Sequence, residues 1–167
     1  MVVYLRCEFT ARDLDSRLLI ASYLLKEKQP VVVGQMWAIS GNRGLSPKGP
    51  VLFSSPNRFQ GIDMGKFKAN GYPTIGMDEE ILAIQDELEI LRCLDVEAAS
   101  NCDLFLFQDH NHETIIKRAY PRLNGDVSGS PRVELLRQHR HIYQPDAKQC
   151  RKAGRYILIN TNFSLVN

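Results

Sequence analysis

Short, wholly apolar runs alternate along this chain with amphipathic stretches of helical period, and that alternation constrains the fold more than any other feature. Such a run is buried on both faces only inside a parallel sheet covered by helices. Val2-Val3-Tyr4-Leu5-Arg6-Cys7 is rich in β-branched and aromatic residues and predicts a first strand. Thr10-Ala11-Arg12-Asp13 has the spacing of a capping box and predicts a helix start at Thr10. Leu14, Leu18, Ala21 and Leu25 recur on one helical stripe that runs to Lys28, where Pro30 stops it. Val31-Val32-Val33-Gly34 then reads as a buried parallel strand, completing a β-α-β opening.

The alternation continues to the carboxyl end. Gly41 to Pro50 reads as a loop, Val51-Leu52-Phe53-Ser54 as a third strand, and Phe59 to Lys68 as a helix closed by Asn70-Gly71. Tyr72 to Met77 predicts a fourth strand. Asp78 is expected to cap a helix whose stripe is Ile81, Ile84, Leu88 and Leu91. Asp103 to Phe107 predicts a fifth strand, Thr114 to Tyr120 a helix, Asp126-Val127-Ser128 a sixth strand and Arg132 to Arg140 a helix. Together these imply an α/β fold: a doubly wound, mostly parallel, Rossmann-like sheet with helices on both faces. Residues 1–154 are expected to form this domain. Tyr156 to Phe163 looks like a strand with no helix to cover it, so residues 155–167 are expected to be an edge strand, or a linker and the first strand of an absent second domain.

Composition removes several classes. The chain has 167 residues, 44% hydrophobic and 24% charged, enough for one core and unlike a disordered chain. No apolar stretch approaches the roughly 18 residues of a membrane span, and Met1 to Leu5 is too short for a signal core, so a soluble, cytoplasmic protein is expected. Cys7, Cys93, Cys102 and Cys150 are scattered without a C-x-x-C pair, which suits reduced, packed thiols. Charge is segregated: ten Lys and Arg face five Asp and Glu in residues 1–77, one faces eleven in 78–113, and ten face three in 114–167. No single basic face follows, and no nucleic-acid partner is expected.

In open α/β sheets ligands lie beyond the carboxyl ends of the strands. That rule selects Glu8 and Arg12, Gly34 to Trp37, Ser54 and Ser55, Asp78-Glu79-Glu80, Gln108 to His112, and Gly129-Ser130-Pro131-Arg132. Asp78, Glu79 and Glu80 suit the start of a helix, and they equally suit carboxylates that take a proton from a sugar hydroxyl. Glu8 and Arg12 have the spacing of a local ion pair or of a grip on a polar ligand. Gly129 to Arg132 reads as a turn with Pro131 at the first helical position, or as free amides plus a guanidinium for an anion. His110-Asn111-His112 and His139-Arg140-His141 put two imidazoles on different faces of any helix, so no metal site is expected. G-x-G-x-x-G, Walker, G-x-S-x-G and H-E-x-x-H motifs are missing from the sequence, and no cofactor is expected.

At these strand ends the sequence resembles the surface carbohydrate biosynthesis protein family, two-domain GT-B proteins related to nucleotide-sugar glycosyltransferases and sugar 2-epimerases. The matching pieces are Glu8 with Arg12-Asp13-Leu14 and Arg17-Leu18-Leu19, Val31 to Gly34, Gly49 to Leu52, Gly71 through Glu80, Gly129 through Arg137, and Tyr156 through Phe163. They keep their order over nearly the whole chain. The sequence departs from the family's pattern at Ile81, at Gln108-Asp109 and at Ser130.

The resemblance implies the N-terminal, acceptor-side half of a GT-B-like enzyme acting on nucleotide-sugar and glycan substrates, inactive without its C-terminal domain. A carboxylate among Glu8, Asp78, Glu79 and Glu80 would be the base. Arg12, Gly34, Ser54, Gly129, Ser130, Arg132, Asn160 and Asn162 would bind substrate, and a lipid-linked acceptor would bring the protein to a membrane surface. A nucleotide-sugar 2-epimerase-like activity and a non-catalytic α/β binding module are the alternatives.

Overall fold

The computed structural model describes residues 1–81 and 86–143, and in it the apolar runs form six strands. They are β1 (Val3–Cys7), β2 (Val31–Gln35), β3 (Val51–Phe53), β4 (Thr74–Met77), β5 (Leu104–Phe107) and β6 (Gly125–Val127). The helices are α1 (Thr10–Lys26), α2 (Met36–Gly41), α3 (Arg58–Ala69), α4 (Glu87–Cys93), α5 (Val96–Asn101), α6 (His110–Ala119) and α7 (Pro131–Gln138). Every neighbouring pair of strands is parallel, in the order β2-β1-β3-β4-β5-β6. The chain is therefore doubly wound α/β, as the alternation predicts. The winding reverses at β1, so the crevice suited to a ligand opens at the carboxyl edge between β1 and β3.

The two faces of the sheet are filled unequally. On one face Tyr4, Phe53, Phe105 and Phe107 of the strands pack against Ile39 of α2, Met64 and Phe67 of α3, Ile90 of α4, Ala98 of α5 and Ile115 and Ile116 of α6. Gly61 lets α3 and α5 touch, since a Cβ there would stand 2.4 Å from the backbone nitrogen of Ala98. On the other face Leu5, Leu52 and Met77 meet Ile20, Ala21 and Leu24 of α1, and α7 packs against α1. Between α1 and α7, among the described residues, lies an apolar groove of about 880 Å³ floored by Leu52, Ile75 and Leu106.

Several local expectations change. Phe9, not Thr10, is the N-cap of α1, and the helix ends at Lys26. Asp13 reaches back past Thr10, its carboxylate accepting the N–H groups of Glu8 at 2.8 Å and Phe9 at 2.9 Å. The buried side of α1 is Asp13, Ser16, Arg17 and Ala21, whereas Leu18 is 50% and Leu25 59% exposed. The apolar stripe thus misplaces the face, because ionised residues occupy part of the inner one. Helix α2 occupies part of what looked like the approach to a loop, capped by the Gln35 side chain.

Among the described residues no α-helix opens at Asp78. Its Oδ1 accepts the Glu80 N–H at 2.9 Å, which bends the chain, and α4 begins at Glu87 behind the cap residue Asp86. A second cap, Asp95, starts α5 separately. In α6 the helix begins four residues earlier than expected, because Asp109 caps it through the His112 N–H. The expected strand at Tyr156 to Phe163, with Asn160 and Asn162, lies outside the described residues, as does Ile84.

Candidate functional site

Asp13 and Arg17 stand one turn apart on the inner face of α1, where they meet the bend after β4. Arg17 grips Glu79 with both arms of its guanidinium, Nη1 to Oε1 at 2.8 Å and Nη2 to Oε2 at 3.0 Å, and both side chains are buried. The remaining Arg17 donor, Nε, goes to the Arg6 carbonyl at 2.8 Å, and Nη1 is also shared with Ser16 Oγ at 3.3 Å. A buried charge is tolerable only with this degree of pairing.

Two further arginines close the cluster. Arg132, in the first turn of α7, donates from Nη2 to Asp13 Oδ1 at 3.1 Å and Glu79 Oε2 at 3.3 Å, and from Nη1 to the Glu79 carbonyl at 3.4 Å. Arg12 donates to Asp13 at 2.8 Å, Glu8 at 2.8 Å and Glu80 at 3.0 Å. Burial alone would raise the Asp13 carboxyl, but Arg12 and the N–H groups of Phe9 and Glu8 outweigh it and hold that group below its ordinary range.

The fold therefore brings together Glu8, Arg12, Glu79, Glu80 and Arg132 of the expected residues, with Asp78 beside them. Three guanidinium groups face the four carboxylates of Glu8, Asp13, Glu79 and Glu80. Arg12 and Arg132 direct their donors to protein carboxylates, and only Arg132 Nε, among its donors, is buried without a partner among the described residues. The Ser130 hydroxyl is likewise buried and unpartnered there, at the turn where Gly129 takes φ 80°. Ser54 joins the cluster through its backbone, whose carbonyl accepts the Glu79 N–H at 3.2 Å. Gly34 stands apart on β2, facing Ile39.

Asp78 differs from its neighbours. Among the described residues it is buried without an arginine in contact, and burial, helped by the charges of Glu80 and Glu79, pushes its carboxyl up to about 6. Its backbone carbonyl accepts the Gln108 side-chain amide, and the Gln108 N–H donates to His112 Nδ1 at 3.2 Å. Buried against Phe105 and Phe107, His112 is driven down to about 4 and is neutral. Asp78, Gln108 and His112 thus form one chain from β4 to α6.

Sequence reasoning passed over Asp13 and Arg17 as site residues and took His112 only as part of the strand-end run Gln108 to His112. The available signal for the first two was an Asp and an Arg four apart on a helix whose other inner positions are small or apolar. Among the described residues no group of three or more His, Cys, Asp or Glu side chains is placed to hold a metal, and no helix is long and apolar enough to cross a membrane. In comparisons with known proteins, no family model matches the chain, and no significant match appears among curated proteins or solved structures.

Proposed function

We propose that this chain is the acceptor-side domain of a GT-B-like glycosyltransferase of surface polysaccharide assembly, with Asp78 as the base that takes the proton of an acceptor hydroxyl. The observation that carries this reading is the near-neutral carboxyl of Asp78 at the carboxyl edge of the sheet. A general base works best when its pKa lies near the working pH, and a buried carboxyl reaches that range where a solvated one does not. As the hydroxyl oxygen forms its bond to the anomeric carbon, its proton passes to Asp78 and the nucleotide leaves with the bonding pair. The donor nucleotide would belong to the C-terminal domain implied by the resemblance. A lipid-linked acceptor would bring the protein to a membrane surface.

A second reading, a non-catalytic binding module, is favoured by the pairing of Arg12, Arg17 and Arg132 with protein carboxylates. Such a cluster serves as a structural latch as well as it serves chemistry. Release of nucleotide from UDP- and CMP-sugars in the presence of glycan acceptors, with the chain alone and with a nucleotide-binding domain supplied, separates the two. Transfer that falls about 10²- to 10⁴-fold in Asp78→Asn and rises with pH through about 6 supports the enzyme. Binding without turnover under any donor supports the module, and sugar isomerised without acceptor supports an epimerase-like activity.

Stability gives an independent check on Asp78. Its folded pKa is raised, so the stabilisation it gives on protonation is complete below its unfolded value and is lost as pH rises through about 6. His112 has the opposite sign: its folded pKa is depressed, so its contribution is present above the ordinary histidine value and is lost as pH falls towards 4. The two oppose each other over nearly the same window. Asp78→Asn is expected to raise stability at pH 7 by about 1–3 kcal/mol and to leave a chain that weakens on mild acidification. Urea unfolding at several pH values measures both, and a variant less stable than the parent at pH 7 would contradict the raised pKa.

A further inference from the structure

Strand β2 ends the sheet, and among the described residues β1 is its one neighbour. Val3 donates its N–H to the Pro30 carbonyl at 2.9 Å. The alternation of a parallel pair then turns the backbone groups of Val32 and Gly34 towards β1 and those of Val31 and Val33 outward. Among the described residues these outward N–H and C=O groups have no hydrogen-bond partner. Edge strands are ordinarily blunted by brevity, charge or proline, as β6 is at the other end of the sheet with three residues and Asp126 among them. Strand β2 has five residues, Val31-Val32-Val33-Gly34-Gln35, with neither a charge nor a proline.

The apolar stripe of α1 that misses the core has its place beside this edge. Helix α1 lies over β1 and β2, and its flank towards β3 carries Leu19 and Tyr23 and borders the apolar groove. At about 100° per residue, Leu14, Leu18 and Leu25 project from the opposite flank, which overhangs the open side of β2. Ala11 and Ser22 complete that flank, so it too carries no charge. On the other face of the sheet Val32, the register partner of buried Tyr4, is 40% exposed. Open backbone groups thus run between apolar side chains above and below them.

We propose that this edge pairs with the same edge of a second copy of the chain, β2 against β2 and antiparallel, about a two-fold axis at Val32. The self-complementarity of the edge selects this occupant. Val31 and Val33 exchange N–H···O bonds with Val33 and Val31 of the partner subunit, which uses every open group of the two residues. Val32 meets Val32 of the partner subunit in a non-hydrogen-bonded pair, where Cα atoms stand about 4.5 Å apart. No like charges oppose one another, because neither β2 nor the α1 flank carries any. The axis stands perpendicular to the sheet, so both α1 helices lie on one face and bring Leu18 and Leu25 together across it. A 17-residue helix is about 25 Å long, and with layers about 10 Å apart the edge offers roughly 500 Å² per copy, near the lower bound of a specific interface. The dimer is therefore expected at micromolar concentrations. Its two carboxyl edges point in opposite directions, and the pairing is independent of the carbohydrate reading.

Sedimentation velocity of the whole chain over about 1–200 μM is expected to show a mass that climbs from 19.0 kDa towards twice that value. Val32→Lys sets like charges against each other in the central pair and is expected to weaken the dimer about tenfold or more. Leu18→Lys is expected to do the same from α1. Both positions are exposed enough for a lysine to leave the fold intact. Val32→Cys is expected to form an intermolecular disulfide on mild oxidation, since a Cα separation of about 4.5 Å lies within the reach of that bond. The parent, which carries the other four cysteines, is the control. A chain that stays at 19.0 kDa throughout, its edge left open or closed by another segment of the same chain, would overturn the proposal. So would a dimer that Val32→Lys and Leu18→Lys leave unchanged, or a Val32→Cys chain that cross-links no more readily than the parent.

Discussion

Replacing Glu79 by alanine is expected to lower stability by about 3–5 kcal/mol, because it leaves the Arg17 guanidinium buried with no carboxylate to answer its two arms. For a domain of this size that corresponds to a fall in Tm of roughly 10 °C. Arg17→Ala is expected to cost a similar amount, although Arg132 still reaches Glu79 at 3.3 Å and blunts the loss. The informative variant is the double replacement Arg17→Met with Glu79→Leu. Removing both charges together avoids the uncompensated one, so the pair is expected to be far less damaging than the sum of the singles. Thermal unfolding of the parent, Arg17→Met, Glu79→Leu and the double variant measures the coupling, and additive losses would mean that the ion pair is not the unit that matters.

Gly61→Ala is expected to destabilise by about 2–3 kcal/mol despite the gain of roughly 1 kcal/mol that alanine normally brings to a helix. The new methyl would lie 2.4 Å from Ala98 N, 2.8 Å from the Glu97 carbonyl carbon and 2.9 Å from Ala98 Cα, all of them backbone atoms. The two helices must part to admit it. Gly65→Ala, one turn further along α3, is the control. There the methyl meets the side chain of Asn101 at 3.0 Å, which can rotate away at the cost of its bond to the Gly61 carbonyl. Denaturant midpoints should therefore rank the parent above Gly65→Ala and Gly65→Ala above Gly61→Ala; equal midpoints for the two variants would show that α3 and α5 are not held by this close approach.

The strands and their order along the chain are readable from the sequence because each apolar run is short and sharply bounded. Leu104 to Phe107 becomes a parallel strand inside the sheet, and Val31 to Val33 becomes one too, but at the sheet edge with Val32 40% exposed, so the expected burial of that strand does not hold. The inner face of α1 is not readable in the same way. Counting apolar residues selects Leu18 and Leu25, and nothing local says that Arg17 will be paired with Glu79 some sixty residues on. Among the described residues a bend replaces the helix start expected at Asp78, for the same reason: a favourable cap residue and an acidic first turn describe local chemistry, whereas Glu79 reaches α1. Most residues expected at the site were found from topology alone, since the strand-end rule needs only the strands. Asp13 and Arg17 escaped because their roles come from tertiary burial of groups that a sequence presents as soluble.

The attachment of α7 has a further consequence. Leu135 is its one buried residue, and the helix leans on α1 and on the bonds of Arg132 to Asp13 and Glu79, while an apolar groove rather than packed side chains lies beneath it. Its amides should accordingly exchange with solvent through a low-energy local opening, well before those of the strands. The rate of that opening should follow the bonds that Arg132 makes to Asp13 and Glu79. Hydrogen exchange along Pro131–Gln138 would thus serve as a distant gauge of events at the carboxyl edge of the sheet, because the same guanidinium that completes the cluster is the fastening of the helix.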